Sequence, residues 1–388
     1  MQTYARLPVT FSYGDGCWLF DEQGKRYLDA LSGIAVCGLG HAHPAVTAAL
    51  TQQAGRLLHT SNLYQVSLQQ ELGDLLTAQA GMDRVFFGNS GAEANEAAIK
   101  LARLHGQQQG IAHPAILVME HSFHGRTLAT LSATGNPQVQ AGFGPLVDGF
   151  IRAPYDDLTA LHQLAAQHPN IVAVLVEPIQ GEGGIRIPQP DYLSKIRELC
   201  DTHGWLMMLD EIQSGMGRTG TWFAFQQQDL QPDVITLAKA LGNGVPIGAC
   251  LARSQAATLF SPGKHGSTFG GNPLVCAAAL ATCRTIIQDQ LPQRAAKLGQ
   301  YLLRGFQQAL ADCPGVQTIR GQGLMLGIVL DRPCAELVPQ ALAEGLLINV
   351  TAQQVVRLLP PLILSDHQAD QLIEQLSALI RTFCAIPH

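Results

Sequence analysis

The chain has 388 residues, 47% of them hydrophobic and only 14% charged, where about 25% charged is ordinary. At about 100–200 residues per domain this is two or three domains' worth of chain, so a peptide-sized or disulfide-stapled scaffold is excluded and an unusually large apolar surface must be hidden in a core or between subunits. The 24 basic and 30 acidic residues leave a net charge of −6, which argues against nucleic acid as a partner because no cationic excess exists to neutralise a phosphate backbone.

The nine cysteines are scattered, their closest pair is Cys276 and Cys283, and no CxxC occurs. That leaves neither a zinc ribbon nor a thioredoxin motif and reads as small buried hydrophobes in a reduced protein. Met1 to Phe11 contains no apolar stretch of signal-peptide length, and the longest apolar runs anywhere are about eight residues, too short to span a membrane. A cytoplasmic protein with no membrane partner is expected.

In chain order, residues 10–36 come first. Asp15-Gly16 and Asp21-Glu22-Gln23-Gly24 punctuate short apolar pieces there, the pattern of a small antiparallel meander. Strand candidates follow at Arg84–Phe87, Ala115–Met119, Ile171–Val176, Trp205–Leu209, Val234–Leu237 and Ile247–Leu251. Each is continuously apolar rather than alternating, as strands buried on both faces should be, and helix-period segments lie between them. The fold class is α/β, a mostly parallel central sheet with helices on both faces. Beyond residue 285 the pattern changes to helices at Leu291–Asp312, Cys334–Glu344 and Asp366–Phe383 with short strands near Met325–Leu330 and Leu346–Asn349, which suggests a smaller α+β domain. The expected division is 1–48 as an N-terminal part of the small domain, 49–285 as the large domain and 286–388 as the C-terminal small domain. The 39 glycines cluster at the strand ends of the central region, where α/β sheets bind ligands.

Lysine gives the first chemical argument. Of the six, only Lys239 directly follows an apolar strand, and a loop of small residues, Ala240-Leu-Gly-Asn-Gly244, comes after it. Burial disfavours the ammonium form, and a neutral amine attacks aldehydes. A lysine snorkelling from a strand end gives the same pattern. Trp205-Leu-Met-Met-Leu209 runs likewise into Asp210-Glu211-Ile212-Gln213. A carboxylate there could hold the ring nitrogen of pyridoxal phosphate protonated, with Gln213 at the ring hydroxyl; magnesium and ribose sites use the same placement.

Arg84–Phe87 leads through Gly88-Asn89-Ser90-Gly91-Ala92 into a helix expected over Glu93–Leu104. Unpaired amides at such a helix start bind phosphate, although Ser90 with Glu93 also has capping-box spacing. Met119 to Arg126 places an aromatic, Phe123, and a guanidinium, Arg126, after another core strand. Phe123 could stack on a cofactor ring, and Arg126 could pair with a substrate carboxylate for about 1.5–3 kcal/mol. His121 and His124 lack a third ligand or a HExxH pattern and carry no metal reading; His41 and His43 read as loop residues. Gly38-Leu-Gly40-His-Ala-His43 lacks the third glycine of a dinucleotide fingerprint.

Taken together, Asn89-Ser-Gly-Ala-Glu-Ala-Asn-Glu-Ala-Ala-Ile-Lys100, Phe123-His-Gly-Arg126, Glu177-Pro-Ile-Gln-Gly-Glu182, Asp210-Glu-Ile-Gln213, Leu237-Ala-Lys-Ala240 and Ser267-Thr-Phe-Gly-Gly-Asn-Pro273 resemble the class III aminotransferases in order and spacing over nearly the whole chain. Gly33-Ile-Ala-Val36, Gly40-His-Ala-His-Pro44 and Ser61-Asn-Leu-Tyr64 resemble the branch of that class that acts on acetylornithine more than those acting on ornithine, GABA or a semialdehyde. The resemblance implies a fold type I homodimer with shared active sites and pyridoxal 5'-phosphate as cofactor.

By the same resemblance, Lys239 would carry the cofactor and Asp210 would pair with its ring nitrogen, Gln213 with its ring hydroxyl and Phe123 with its ring face. Gly91 and Ala92 would offer phosphate amides, and Thr268 would reach the phosphate in the partner subunit. Arg126 would bind the substrate's α-carboxylate, Arg357 a second carboxylate, Ser267 the substrate, and Glu182 would lie between cofactor and arginines, masking one when an amine substrate is bound. Ala92 departs from the Thr common in relatives, a loss of at most about 1 kcal/mol of phosphate binding. The implied reaction moves the δ-amino group of N2-acetylornithine to 2-oxoglutarate. Succinylornithine, N-succinyl-diaminopimelate, ornithine or GABA are alternative substrates; an aminomutase or a non-catalytic cofactor-binding homologue are the alternative functions.

Overall fold

In the computed structural model, which describes residues 1–386, the N-terminal meander forms as expected from β1 (Phe11–Asp15), β2 (Trp18–Asp21) and β3 (Arg26–Asp29). Asp21 closes its second turn, its Oδ1 accepting the N–H groups of Gln23 at 3.0 Å and Lys25 at 2.9 Å, the local bonding that makes Asp a turn residue.

Seven strands build the central sheet: β4 (Arg84–Gly88), β5 (Ala115–Met119), β6 (Phe150–Ala153), β7 (Ile171–Val176), β8 (Leu206–Asp210), β9 (Val234–Leu237) and β10 (Gly248–Ala252). Their order is β4-β10-β9-β8-β7-β5-β6. The run from β9 to β6 is parallel, and β10 is antiparallel to both its neighbours. Every residue of β5, β7, β8, β9 and β10 is buried, whereas the edge strands β4 and β6 are partly open. Alternate side chains enter two different cores: Leu117, Val174, Leu209 and Ile235 pack on one face, and Ile116, Leu175, Met208 and Val234 on the other. Each such side chain contributes about 1.5–3 kcal/mol by leaving water, so both faces need helices over them. The long helix Gly91–Gln108 supplies part of that cover, burying Ala97, Ala98, Ile99, Leu101 and Ala102.

After the sheet come helices Leu291–Ala309, Leu337–Ala343 and Asp366–Ala385 with β11 (Val316–Gln322), β12 (Met325–Leu330), β13 (Leu346–Leu347), β14 (Asn349–Thr351) and β15 (Val355–Leu358). β11, β12, β15 and β14 form an antiparallel sheet in that order, while β13 pairs parallel with β3. One sheet is therefore shared by residues from both ends of the chain. Within the expected 286–388 domain, Pro387 and His388 lie outside the described residues.

Some expected boundaries move. The strand expected at Trp205–Leu209 lies one residue later, which makes Asp210 its last residue, and the helix expected from Glu93 begins at Gly91. The stretch Leu346–Asn349 is split between two sheets on either side of Ile348. The sequence reading lacks β6, β11 and β15. β6 is a four-residue edge strand interrupted by Arg152, β11 carries Gln317, Thr318, Arg320 and Gln322, and β15 holds a buried arginine among apolar residues.

Candidate active site

The carboxyl ends of β5, β7, β8 and β9 open onto a cavity of about 420 Å³ whose wall includes Phe123, Glu177, Glu182, Asp210, Gln213 and Lys239, the place where parallel sheets gather ligands. Asp210 forms its floor at 5% exposure. Its Oδ2 accepts Asn95 Nδ2 and meets His124 Nδ1, both at 2.8 Å, and its Oδ1 accepts Ile212 N–H at 3.1 Å. Asn95 is itself oriented by Thr236 of β9, whose hydroxyl donates to Asn95 Oδ1 at 2.7 Å, and by donation to the His124 carbonyl. A carboxylate has about four acceptor sites, so Asp210 is fixed and still retains capacity toward the cavity.

Lys239 stands on the same wall, immediately after β9, with φ at +44°. A non-glycine residue held in the left-handed region is strained, and the loop behind it is fastened: Asn243 Oδ1 accepts Leu39 N–H at 2.8 Å and its Nδ2 donates to the Gly40 carbonyl at 3.1 Å. Burial depresses the Lys239 amine below the usual lysine range. The carboxylates of Glu182, Asp210 and Glu177 oppose this, and the Arg357 guanidinium adds to it. The amine is thereby tilted toward the neutral form.

Glu182 and Arg357 make an ion pair at 2.5 Å. Arg357, on β15, is 1% exposed, and Asn349 on the neighbouring β14 accepts its Nε at 3.1 Å and Nη2 at 2.8 Å. Burial raises the Glu182 carboxyl, but Arg357, with Lys239 and Gln213 beside it, leaves the group below its ordinary value. Glu182 lines the cavity; Arg357 sits behind it. Phe123 is half-buried and Arg126 exposed, its guanidinium carbon 5.8 Å from the Phe123 ring centre.

At the other end, Ser90, Gly91 and Ala92 line the cavity at the start of the Gly91–Gln108 helix. The capping reading holds, and two donors at the helix start stay open. Ser90 Oγ accepts Glu93 N–H at 3.2 Å, yet the N–H groups of Gly91 and Ala92 donate to nothing among the described residues. A Cβ on Gly91 would meet Ile212 Cδ1 at 2.8 Å, so only glycine lets this turn press against the wall.

Ser267 and Thr268 are not part of the cavity lining. Ser267 Oγ accepts Gly270 N–H at 3.0 Å and Asn89 Nδ2 at 3.3 Å, and Thr268 is exposed. Asn62 Nδ2 ties this loop down through the carbonyls of Ser267 at 3.0 Å and Gly270 at 3.1 Å. Around it Leu58, Leu63, Tyr64 and Phe269 are all more than half exposed. His41, read as a loop residue, pairs with Asp29 at 2.7 Å, and no cluster of three or more metal-ligating side chains occurs among the described residues. Sequence reasoning missed Asn95, Ile212 and Asn349, gave no role to Glu177 and weighed His124 only as a metal ligand. Ile212 could have been found, since it stands between Asp210 and Gln213.

A family model described as aminotransferase class-III matches residues 2–380, and the chain belongs to that family, whose cofactor is pyridoxal phosphate. Among particular relatives, it is 57% identical over 383 residues to an acetylornithine aminotransferase of Nitrosomonas europaea, covering 99% of this chain and 98% of that one. In solved structures it resembles an ornithine aminotransferase of Toxoplasma gondii at TM-score 0.95 and 35% identity, covering 99% and 92% of the two chains. It also resembles an N-acetylornithine aminotransferase of Stenotrophomonas maltophilia at TM-score 0.86 and 37% identity, covering 99% and 98%.

Proposed function

We propose that the protein transfers the δ-amino group of N2-acetylornithine to 2-oxoglutarate, giving N-acetylglutamate 5-semialdehyde and glutamate in cytoplasmic arginine biosynthesis, and that it works as a homodimer. The observation that carries this reading is the cavity itself, where a lysine amine tilted toward neutrality, a fixed buried carboxylate and a helix start with two open N–H groups face one space.

Pyridoxal phosphate fits that space. Gly91 and Ala92 would offer N–H donors to its phosphate, Asp210 a carboxylate to its ring nitrogen and Lys239 an amine to its aldehyde, with Phe123 and Ile212 in the surrounding wall. Gln213 supports the fit independently: its Oε1 is buried with no partner among the described residues, a costly state that a ring hydroxyl would relieve. When bound, the cofactor supplies an aldehyde that takes up an amine and a protonated ring that draws off the electrons left by a departing proton.

The chain's own groups then divide the work. Lys239 Nζ, its pKa lowered first by burial, is the base that would accept a proton from the substrate's δ-carbon. Asp210, held by Asn95 and His124 at 2.8 Å, would present its carboxylate to the ring nitrogen. Arg126 at the rim clamps the α-carboxylate, and because acetylation leaves only the distal amine reactive, clamping that end presents the δ-carbon. 2-Oxoglutarate brings two carboxylates, and Glu182 must leave Arg357 before the second can bind it. Thr268 would belong to a second copy's site: it is exposed, outside this chain's cavity and next to the uncovered Phe269, as expected of a surface that completes a neighbour's site. No helix among the described residues is long and apolar enough to cross a membrane.

The test is spectroscopic. Adding acetylornithine without a keto acid should convert the yellow bound cofactor to its colourless form, and 2-oxoglutarate should restore it. Faster conversion by ornithine, succinylornithine or GABA would replace the proposed substrate, and no conversion by any of the four would defeat the reading.

A further inference from the structure

Glu177 has no role in the reaction described above, yet it is the residue on which two halves of the cavity wall converge. It follows β7 directly, is 6% exposed and lines the cavity. Its Oε2 accepts the backbone N–H of Phe123 at 3.0 Å, and its Oε1 accepts that of Gly181 at 3.2 Å. Phe123 is the aromatic wall. Gly181 carries the loop into Glu182 and lies so close to Gln213 that a Cβ on it would meet Gln213 Oε1 at 2.2 Å. The backbone of Glu177 is held in turn, since the Tyr155 hydroxyl reaches the carbonyls of Glu177 at 3.2 Å and Pro178 at 3.0 Å.

We infer that Glu177 is a positioning residue for the proposed transamination: one carboxylate, through the backbone amides of Phe123 and Gly181, fixes the distance between the aromatic wall and the Glu182–Arg357 pair. The inference rests on the proposed function for its catalytic meaning, though the clamp itself does not require turnover. The task requires the ionised form, because a carboxylate accepts two N–H bonds at once, whereas a protonated oxygen presents a donor to a donor.

Proton uptake is therefore the clamp's release. Burial pushes the Glu177 carboxyl up to about 7. His124 and the two N–H bonds hold it down, and Asp210 pushes it further up. The titratable groups around it are His124 on the segment after β5, Asp210 at the end of β8, Lys239 after β9 and Tyr155 after β6. Above that pH both bonds stand; below it, one is lost.

The experiment is amide hydrogen exchange at Phe123 and Gly181, corrected for intrinsic pH dependence, in the protein with and without pyridoxal phosphate, for wild type and Glu177→Gln. In wild type, corrected exchange at one or both amides should quicken about tenfold as pH falls through about 7, the effect of losing a hydrogen bond to a charged group. Glu177→Gln should exchange rapidly at one of them at every pH and shift the ratio of kcat/KM between the two half-reactions by about threefold or more, whereas a merely structural role would lower both together. Protection that is flat with pH in wild type, or equal to wild type in Glu177→Gln, overturns the clamp. The wild-type series stands alone if the variant does not fold. Exchange that behaves as expected in a protein that does not transaminate acetylornithine would leave the clamp standing and defeat the functional reading instead.

Discussion

The floor of the cavity and its rim are built on opposite plans. On the floor, Asp210, Glu177 and Asn95 are buried and hydrogen-bonded to neighbouring helix, loop and strand segments, so each carboxylate is held in place. At the rim, Arg126, Thr268 and Phe269 are exposed, and the apolar side chains around the Ser267–Gly270 loop lie uncovered. The floor is bonded within one chain; the rim is the surface that the proposed homodimer would cover. The contrast teaches that the chemistry and the substrate selection of this protein can be disturbed separately.

The largest effect should come from the floor. Lys239→Ala removes the amine proposed both to hold the cofactor and to move the proton, and general-base effects alone reach about 10⁴-fold. Turnover should fall by at least that much, with loss of the yellow colour. Retention of colour, or a fall of less than about tenfold, would place the reactive amine elsewhere.

The rim should fail differently. Phe269→Asp, at a side chain 59% exposed in the single chain, should leave the chain's own fold unchanged by circular dichroism. An unpaired charge trapped at an interface costs about 3–5 kcal/mol, enough to shift sedimentation toward the monomer and take most of the activity with it. A Phe269→Asp protein that remained a fully active dimer would show that this face is not the contact between copies.

Between the two lies the Glu182–Arg357 pair. Glu182→Gln abolishes the charge that occupies Arg357 while keeping the side chain's size. Charge-assisted hydrogen bonds contribute about 1.5–3 kcal/mol, so the ratio of kcat/KM for 2-oxoglutarate over acetylornithine should rise by about tenfold or more. An unchanged ratio would make the pair a structural brace rather than a device that exposes Arg357 to one substrate.

The same division explains what could be read from the sequence. Asp210 and Lys239 were legible because each terminates an unbroken apolar run, and burial on both faces leaves a strand no other way to be written. Arg357, Asn349 and Glu182 come from three separate segments, and the family resemblance alone implicated Arg357 and Glu182; their contact depends on the register of β14 against β15. The positioning place of Glu177 was hidden for another reason, since it acts on backbone N–H groups that every residue type except proline carries. β6, β11 and β15 escaped because edge position and interspersed polar residues blur the apolar signal.

The smallest predicted effect tests how complete the floor is. Ala92 would offer a bound phosphate only its backbone N–H, and a threonine there would add a hydroxyl at a helix start that already has two open donors. One neutral hydrogen bond is worth about 1 kcal/mol, so Ala92→Thr should tighten pyridoxal phosphate binding by about fivefold at most, read by equilibrium dialysis of the protein with limiting cofactor. Space is the opposing factor: a Cβ placed on Gly125 would already stand 3.0 Å from that of Ala92. The added methyl must therefore turn away from Gly125. If binding weakens instead, the cradle is filled to its limit by alanine, and the backbone amides of Gly91 and Ala92 carry the phosphate without side-chain help.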